Sequence, residues 1–262
     1  MSEEGKLIPG SPCIHVFDSR PSLDRALAEK TGKLAANAID ARGVFSVALS
    51  GGSMVETLAR GLGSESFGEN PGWDSWNVFW VDERVVSKES RESNFREAWD
   101  GFLRFAPIPP DRIFPVDTSD GASEGARRYA LTLSRVMKAY ESPPRFDLVL
   151  LGIGEDGHTA SLFPGRNTLE CDKEWVVPVF DSPKPPPERI TMTLAVINNA
   201  RHVFFVAKGS GKAPVISALF GPQEGRRNLP AAMVRPCRGE LCYFFDNAAA
   251  AALEIPEREE SS

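Results

Sequence analysis

Short, almost wholly apolar runs alternate with longer amphipathic stretches along most of this chain. Cys13 to Phe17 reads as a first strand, and a helix follows from about Ser22 to Arg42. Its apolar positions Leu23, Ala26, Leu27, Leu34, Ala38 and Ile39 recur near helical spacing. Val44 to Ser50 is a second strand and Met54 to Leu62 a helix. Asn77 to Glu83 is a third strand, and Ser93 to Leu103 a helix with Ser93 as its N-cap. A helix from about Ser123 to Tyr140 precedes the strand Phe146 to Gly152. After a loop-rich stretch come a strand at His202 to Gly209, a helix in KAPVISALF and the closing ELCYFFD. Strands apolar along their whole length, separated by helices, imply a parallel sheet covered on both faces. The expected fold is α/β, a doubly wound, mostly parallel sheet flanked by helices in a Rossmann-like three-layer sandwich. One domain is expected over residues 1–262, with frayed termini at about 1–10 and 256–262. The proline-rich spots Ala106 to Pro110 and Ser182 to Pro187 read as ordered connections within it.

Composition narrows the function classes. The 262 residues are 42% hydrophobic and 25% charged, the profile of an ordinary globular protein. A net charge of −6 argues against a general nucleic-acid or membrane-surface binder, although local groups can still hold an anion. No run approaches the ~20 apolar residues of a spanning helix, and the acidic start MSEEGKLIPG lacks the apolar core of a signal peptide. A cytoplasmic protein is expected. The cysteines Cys13, Cys171, Cys237 and Cys242 form no CxxC pair and are not grouped with His15, His158 and His202. That implies reduced thiols rather than a disulfide or a zinc site. His15 and His202 open strands and read as structural.

Four segments pass from apolar strand to polar or glycine-rich loop: Ser50 to Ser53, Asp82 to Arg84, Gly152 to His158 and Lys208 to Lys212. In an open parallel sheet these carboxyl ends share one edge, where ligands bind. Ser50, Gly51, Gly52 and Ser53 combine close backbone approach with a helix N-terminus, which suits a phosphate or serves simply as a tight turn. GIGEDG has the spacing of a dinucleotide fingerprint. Yet Pro164 and Gly165 deny it the helix it needs, and Glu155 and Asp156 would repel a pyrophosphate. KGSGKA lacks the first glycine and the hydroxyl of a P-loop, leaving Lys212 at a helix start as a point charge for phosphate. His158 follows a glycine loop with Asp156 two residues before it, an arrangement suited to drawing a proton from water. No serine sits in a GxSxG elbow, so direct attack by water is favoured over a covalent intermediate.

Taken in order, LSGGS at Leu49 to Ser53, VDERVV at Val81 to Val86, SNFREA at Ser93 to Ala98 and GIGEDGHTASLFPG at Gly152 to Gly165 resemble the 6-phosphogluconolactonase family. PKPPPERITMTL at Pro183 to Leu194 and VAKGSGKA at Val206 to Ala213 continue the resemblance, which covers nearly all of the chain from about residue 44. Met54 and Val55 stand where the family's first motif often has threonine and proline. The resemblance implies hydrolysis of 6-phospho-D-glucono-1,5-lactone in the pentose phosphate pathway, with no cofactor and no metal. Carried over residue by residue, it assigns His158 as general base, Asp156 as its orienter and Arg84 to the oxyanion or a ring hydroxyl. Ser50, Gly51, Gly52, Ser53, Arg189 and Lys212 are assigned to the phosphate. The expected partner is the small phosphorylated lactone alone, with no nucleic acid or membrane, and the chain is expected to be a monomer.

Two other readings compete. Amino-sugar-phosphate deaminases and isomerases of the same fold resemble the glycine–aspartate–histidine motif, but carry a glutamate where this chain has Phe163. A non-catalytic sugar-phosphate sensor could keep the SGGS turn and Lys212, but would have no use for the pair Asp156 and His158.

Overall fold

The computed structural model describes residues 6–7, 13–63 and 70–253. The chain begins with β1 (Lys6–Leu7), β2 (Cys13–Phe17), α1 (Arg20–Arg42), β3 (Phe45–Leu49) and α2 (Ser53–Leu62). It continues with β4 (Trp76–Trp80), β5 (Asp82–Arg84), α3 (Asn94–Ala98), β6 (Ile113–Phe114), α4 (Gly121–Met137) and β7 (Leu148–Gly152). The last part holds β8 (Val176–Val179), β9 (Arg189–Met192), α5 (Leu194–Ile197), β10 (His202–Ala207), α6 (Ala213–Phe220), α7 (Gln223–Arg226), α8 (Pro230–Met233) and β11 (Glu240–Asp246).

Seven strands run parallel in the order β2, β11, β10, β7, β3, β4, β6, and β1 adds an antiparallel edge beside β2. With helices flanking it, this is the expected doubly wound α/β arrangement. All five residues of β3 are buried, as are the first four of β7 and the last five of β10, which is why these strands read as unbroken apolar runs. From β3 the chain moves outward to β4 and β6; from β7 it moves the other way to β10 and β11. The switch point, where such sheets bind ligands, therefore lies between the neighbours β3 and β7.

Local signals explain the helix ends. The Ser19 side chain accepts from the Ser22 amide to open α1, and Gly43 closes it in a left-handed turn, its N–H donating to Ile39 O at 2.7 Å. Ser93 caps α3 as expected, accepting from the Arg96 amide. That helix turns π-helical over Trp99–Leu103, so the expected helix of Ser93 to Leu103 is two kinds of turn.

Two expectations need correction here. The strand expected over Asn77 to Glu83 is two strands. After Trp80 the chain leaves the main sheet, and β5 joins a small antiparallel sheet with β9 and β8. Val81 is apolar and buried like its predecessors, so periodicity could not reveal the change. Strands β8 and β9 lay hidden in the loop-rich stretch, because each is four residues long and β8 contains Pro178. Of the termini expected to fray, Lys6–Leu7 instead pair with β2; the rest of 1–10, and 256–262, lie outside the described residues.

Candidate active site

Every loop that ends a strand at the switch point contributes to one cleft of about 300 Å³. Ser50 to Met54 line it from the turn after β3, and Asp82 and Arg84 from β5. Gly152 ends β7 and Ile153, Gly154, His158 and Ala160 follow it, Lys184 and Pro185 come from the loop between β8 and β9, Arg189 opens β9, and Lys212 precedes α6. Eight of the nine residues singled out in the sequence thus share one cleft. The ninth, Asp156, reaches it through a hydrogen bond to His158 Nδ1.

The loop after β7 exists to hold that pair. Gly154 N donates to His158 O at 2.8 Å and Gly157 N to Gly154 O at 3.0 Å, closing the loop on itself. A Cβ on Gly154 would lie 1.9 Å from His158 Nδ1 and 2.5 Å from Asp156 Oδ1, so only glycine leaves the imidazole and the carboxylate room to meet. With Asp156 ionised, Nδ1 carries the hydrogen it shares, and Nε2 is the basic nitrogen. The ring packs against Phe163, their centroids 4.7 Å apart. Burial presses the His158 pKa below its usual value, outweighing the opposing pull of Asp156. Burial pushes Asp156 the other way, but the His158 bond, its charge and Lys184 together hold the carboxyl below the usual range. The imidazole is therefore neutral at pH 7, as a base must be.

Beneath the pair lies Asp82, 3% exposed. Its Oδ1 accepts from Ser50 Oγ and its Oδ2 from Ser161 Oγ, each at 2.8 Å. One carboxylate thereby ties the turn after β3 to the loop after β7. Sequence reasoning placed Asp82 in a strand-end segment but gave it no role; the signal was a charged residue directly after an apolar strand. Next to it, Glu83 accepts from the amides of Asn94 and Phe95 at 2.7 and 2.8 Å, fixing the start of α3. Burial pushes the Glu83 carboxyl up while these amide bonds pull it back.

The cationic side of the cleft differs in detail from the sequence expectation. Ser50 Oγ is committed to Asp82, and Gly52 N donates to Glu97 Oε2 at 2.7 Å. That leaves the amides of Ser53 and Met54, which open α2 and have no carbonyl within the helix to bond. Gly51 packs so closely that a Cβ would fall 1.9 Å from Asn94 Oδ1. Arg189 is 4% exposed and donates to the carbonyls of Lys184, Pro185 and Pro186 at 3.0–3.1 Å. It holds the proline loop in place, and the loop in turn presents Lys184, which the sequence reading did not select. Lys184 Nζ stands 3.9 Å from Asp156 Oδ1. Burial lowers the Lys212 pKa, with Glu155 opposing and Lys184 assisting. Arg84 Nη1 donates to Glu92 O at 2.6 Å, while its Nε is buried without an acceptor. Arg84 and Arg189 are opposite each other in the β5–β9 ladder, so two guanidiniums stand side by side at the cleft.

The sequence profile of the glucosamine-6-phosphate isomerases/6-phosphogluconolactonase family matches residues 18–243. The chain belongs to this family. Among relatives in the isomerase/lactonase family, the 6-phosphogluconolactonase of Rattus norvegicus is 40% identical over 256 residues, covering 97% of this chain and 98% of the rat protein. A probable chloroplastic 6-phosphogluconolactonase of Oryza sativa is also 40% identical, over 92% of this chain and 76% of its own length. The solved 6-phosphogluconolactonase of Trypanosoma brucei superposes with a TM-score of 0.82 at 29% identity, covering 93% of this chain and 99% of that one.

Proposed function

We propose that this chain hydrolyses 6-phospho-D-glucono-1,5-lactone to 6-phospho-D-gluconate within the pentose phosphate pathway, using water activated by His158. The observation that carries the reading is the His158 imidazole, bonded through Nδ1 to Asp156, at a cleft whose other charged lining groups include Arg84, Lys184, Arg189 and Lys212. In this reading Nε2 takes a proton as water adds to the lactone carbonyl. Arg84 faces the oxyanion or a ring hydroxyl. The intermediate then expels the ring oxygen, which takes the proton from the imidazolium, and His158 returns to its neutral form. Lys184, Lys212 and the Ser53 and Met54 amides receive the phosphate, while Ser50, Gly51, Gly52 and Arg189 shape and hold that end. A positioned base supplies a rate factor of ~10²–10⁴.

Phe163 supports a lactonase over an amino-sugar-phosphate deaminase. It is 1% exposed and packs against His158 with the ring planes tilted by 32°, an apolar wall where ring opening with loss of ammonia would call on a carboxylate. The deciding experiment is turnover of the phosphorylated lactone beside glucosamine 6-phosphate. Hydrolysis of the first alone is expected, and release of ammonia from the second would replace the reading.

We also place the enzyme in the cytoplasm and read it as a monomer. No helix among the described residues is long and apolar enough to cross a membrane. The rice relative is named chloroplastic, so the family alone does not dictate the compartment. Cell fractionation and sedimentation test the two points.

A further inference from the structure

At the opposite end of the sheet, three groups meet that the reaction does not use. Cys13 opens β2 and is the register partner of Cys242 in β11, so both side chains leave the ladder on one face, joined by His15 two residues along. The sequence suggested that cysteines and histidines stay apart; strand pairing brings them together. Cys13 Sγ and His15 Nε2 are 2.9 Å apart, and the ligating atoms of Cys13, His15 and Cys242 all lie within 4.8 Å of one another. Phe244 stacks on the His15 ring at 5.2 Å, and Cys242 is fully buried. Glu240 Oε1 sits 3.2 Å from Cys242 Sγ. Lys30 of α1 brings its ammonium to 3.3 Å from Cys242 Sγ and 3.6 Å from Glu240 Oε1.

Two sulfurs and an imidazole are the donor set that zinc favours. In a tetrahedral zinc site the donors stand about 3.3–3.8 Å apart, so the three donors must draw in from separations of up to 4.8 Å, and Glu240, whose Oε2 stands 3.2 Å from His202 Nδ1, must turn to join them. We propose that Cys13, His15 and Cys242, with Glu240 as fourth donor, form a zinc site that clamps β2 to β11 against α1. Two thiolates and one carboxylate carry three negative charges; zinc and the Lys30 ammonium balance them. Lys30 then donates to a zinc-bound sulfur, the outer contact such sites commonly have. Four protein donors leave no open position, so the site is structural, in keeping with its distance from the cleft along the strands.

The test is metal uptake by the whole chain, purified in reductant and stripped with a chelator. Added Zn²⁺ should bind at one per chain, and Co²⁺ should give a thiolate charge-transfer band with tetrahedral visible absorption. Cys13→Ser and Cys242→Ser should each lose the band and bind at least about tenfold more weakly. A double Cys171→Ser/Cys237→Ser variant should keep both properties, and all should hydrolyse the lactone at the wild-type rate. If burial of Cys242 makes its variant misfold, His15→Gln and Glu240→Ala, at less buried positions, read the same loss. Uptake equal to that of the Cys13→Ser variant, a cobalt spectrum without the sulfur band, or formation of a Cys13–Cys242 disulfide with no metal uptake would each overturn the proposal.

Discussion

At the scale of single residues, the proposed chemistry turns on His158 and on what surrounds its two nitrogens. Replacing His158 with Ala should lower kcat by ~10²-fold or more with a smaller change in KM; steady-state kinetics retaining half the wild-type kcat would remove it from the mechanism. The pH dependence has a definite sign. Neutral imidazole is the active form, and burial lowers its pKa, so activity should persist as pH falls below the ordinary histidine value of 6.5. Asp156 raises the His158 pKa through both its bond and its charge. Asp156→Asn should accordingly move the acid limb of kcat/KM to still lower pH while reducing kcat, and a limb that moves upward would contradict the assignment. Gly154→Ala forces a methyl into the His158–Asp156 contact, and should depress kcat with little effect on the unfolding midpoint. Tyr129 tests a buried hydrogen bond away from the chemistry. Its hydroxyl accepts from Trp80 N at 2.7 Å in a fully buried setting, so Tyr129→Phe should destabilise by about 1–3 kcal/mol in urea titration.

At the scale of elements, the proline loop between β8 and β9 acts as a bracket rather than a binding strand. Arg189 is spent on its carbonyls, so Lys184 and Lys212 are the cations left to meet the phosphate. Charge-assisted bonds are worth ~1.5–3 kcal/mol each. Lys184→Ala and Lys212→Ala should each lower kcat/KM for the phosphorylated lactone by about tenfold or more, and leave plain glucono-δ-lactone nearly unaffected; equal loss on both substrates would sink the phosphate reading. This division of labour was only partly legible beforehand. The strands β3, β7, β10 and β11 announced themselves through runs of apolar residues, and the glycine–histidine loop through its composition. Strands β8 and β9 were too short for any period to register. The commitment of Ser50 to Asp82 and of Gly52 to Glu97 depends on partners 32 and 45 residues away, which no local pattern contains. The Cys13–Cys242 pairing spans nearly the whole chain and becomes visible only once strand order is known.

At the scale of the molecule, charge and metal dependence separate cleanly. Added salt should weaken kcat/KM for the phosphorylated lactone more than for the plain one, since screening acts on the cations facing the phosphate. Hydrolysis should survive prolonged chelation, because His158 has Nδ1 given to Asp156 and both Asp82 oxygens hold serines. Loss of turnover restored by added metal would overturn that. The passage from β4 to β5 has a further consequence. Val81 N donates to Leu49 O at 2.8 Å and Val81 O accepts from Met192 N at 2.7 Å, so one residue is stitched to both sheets with no slack between them. The amide hydrogens of Val81 and Met192 should therefore exchange only through global unfolding, among the slowest in the protein. A cleft joined this way has no hinge to open, and substrate capture should follow simple second-order kinetics with no lag from a gating motion.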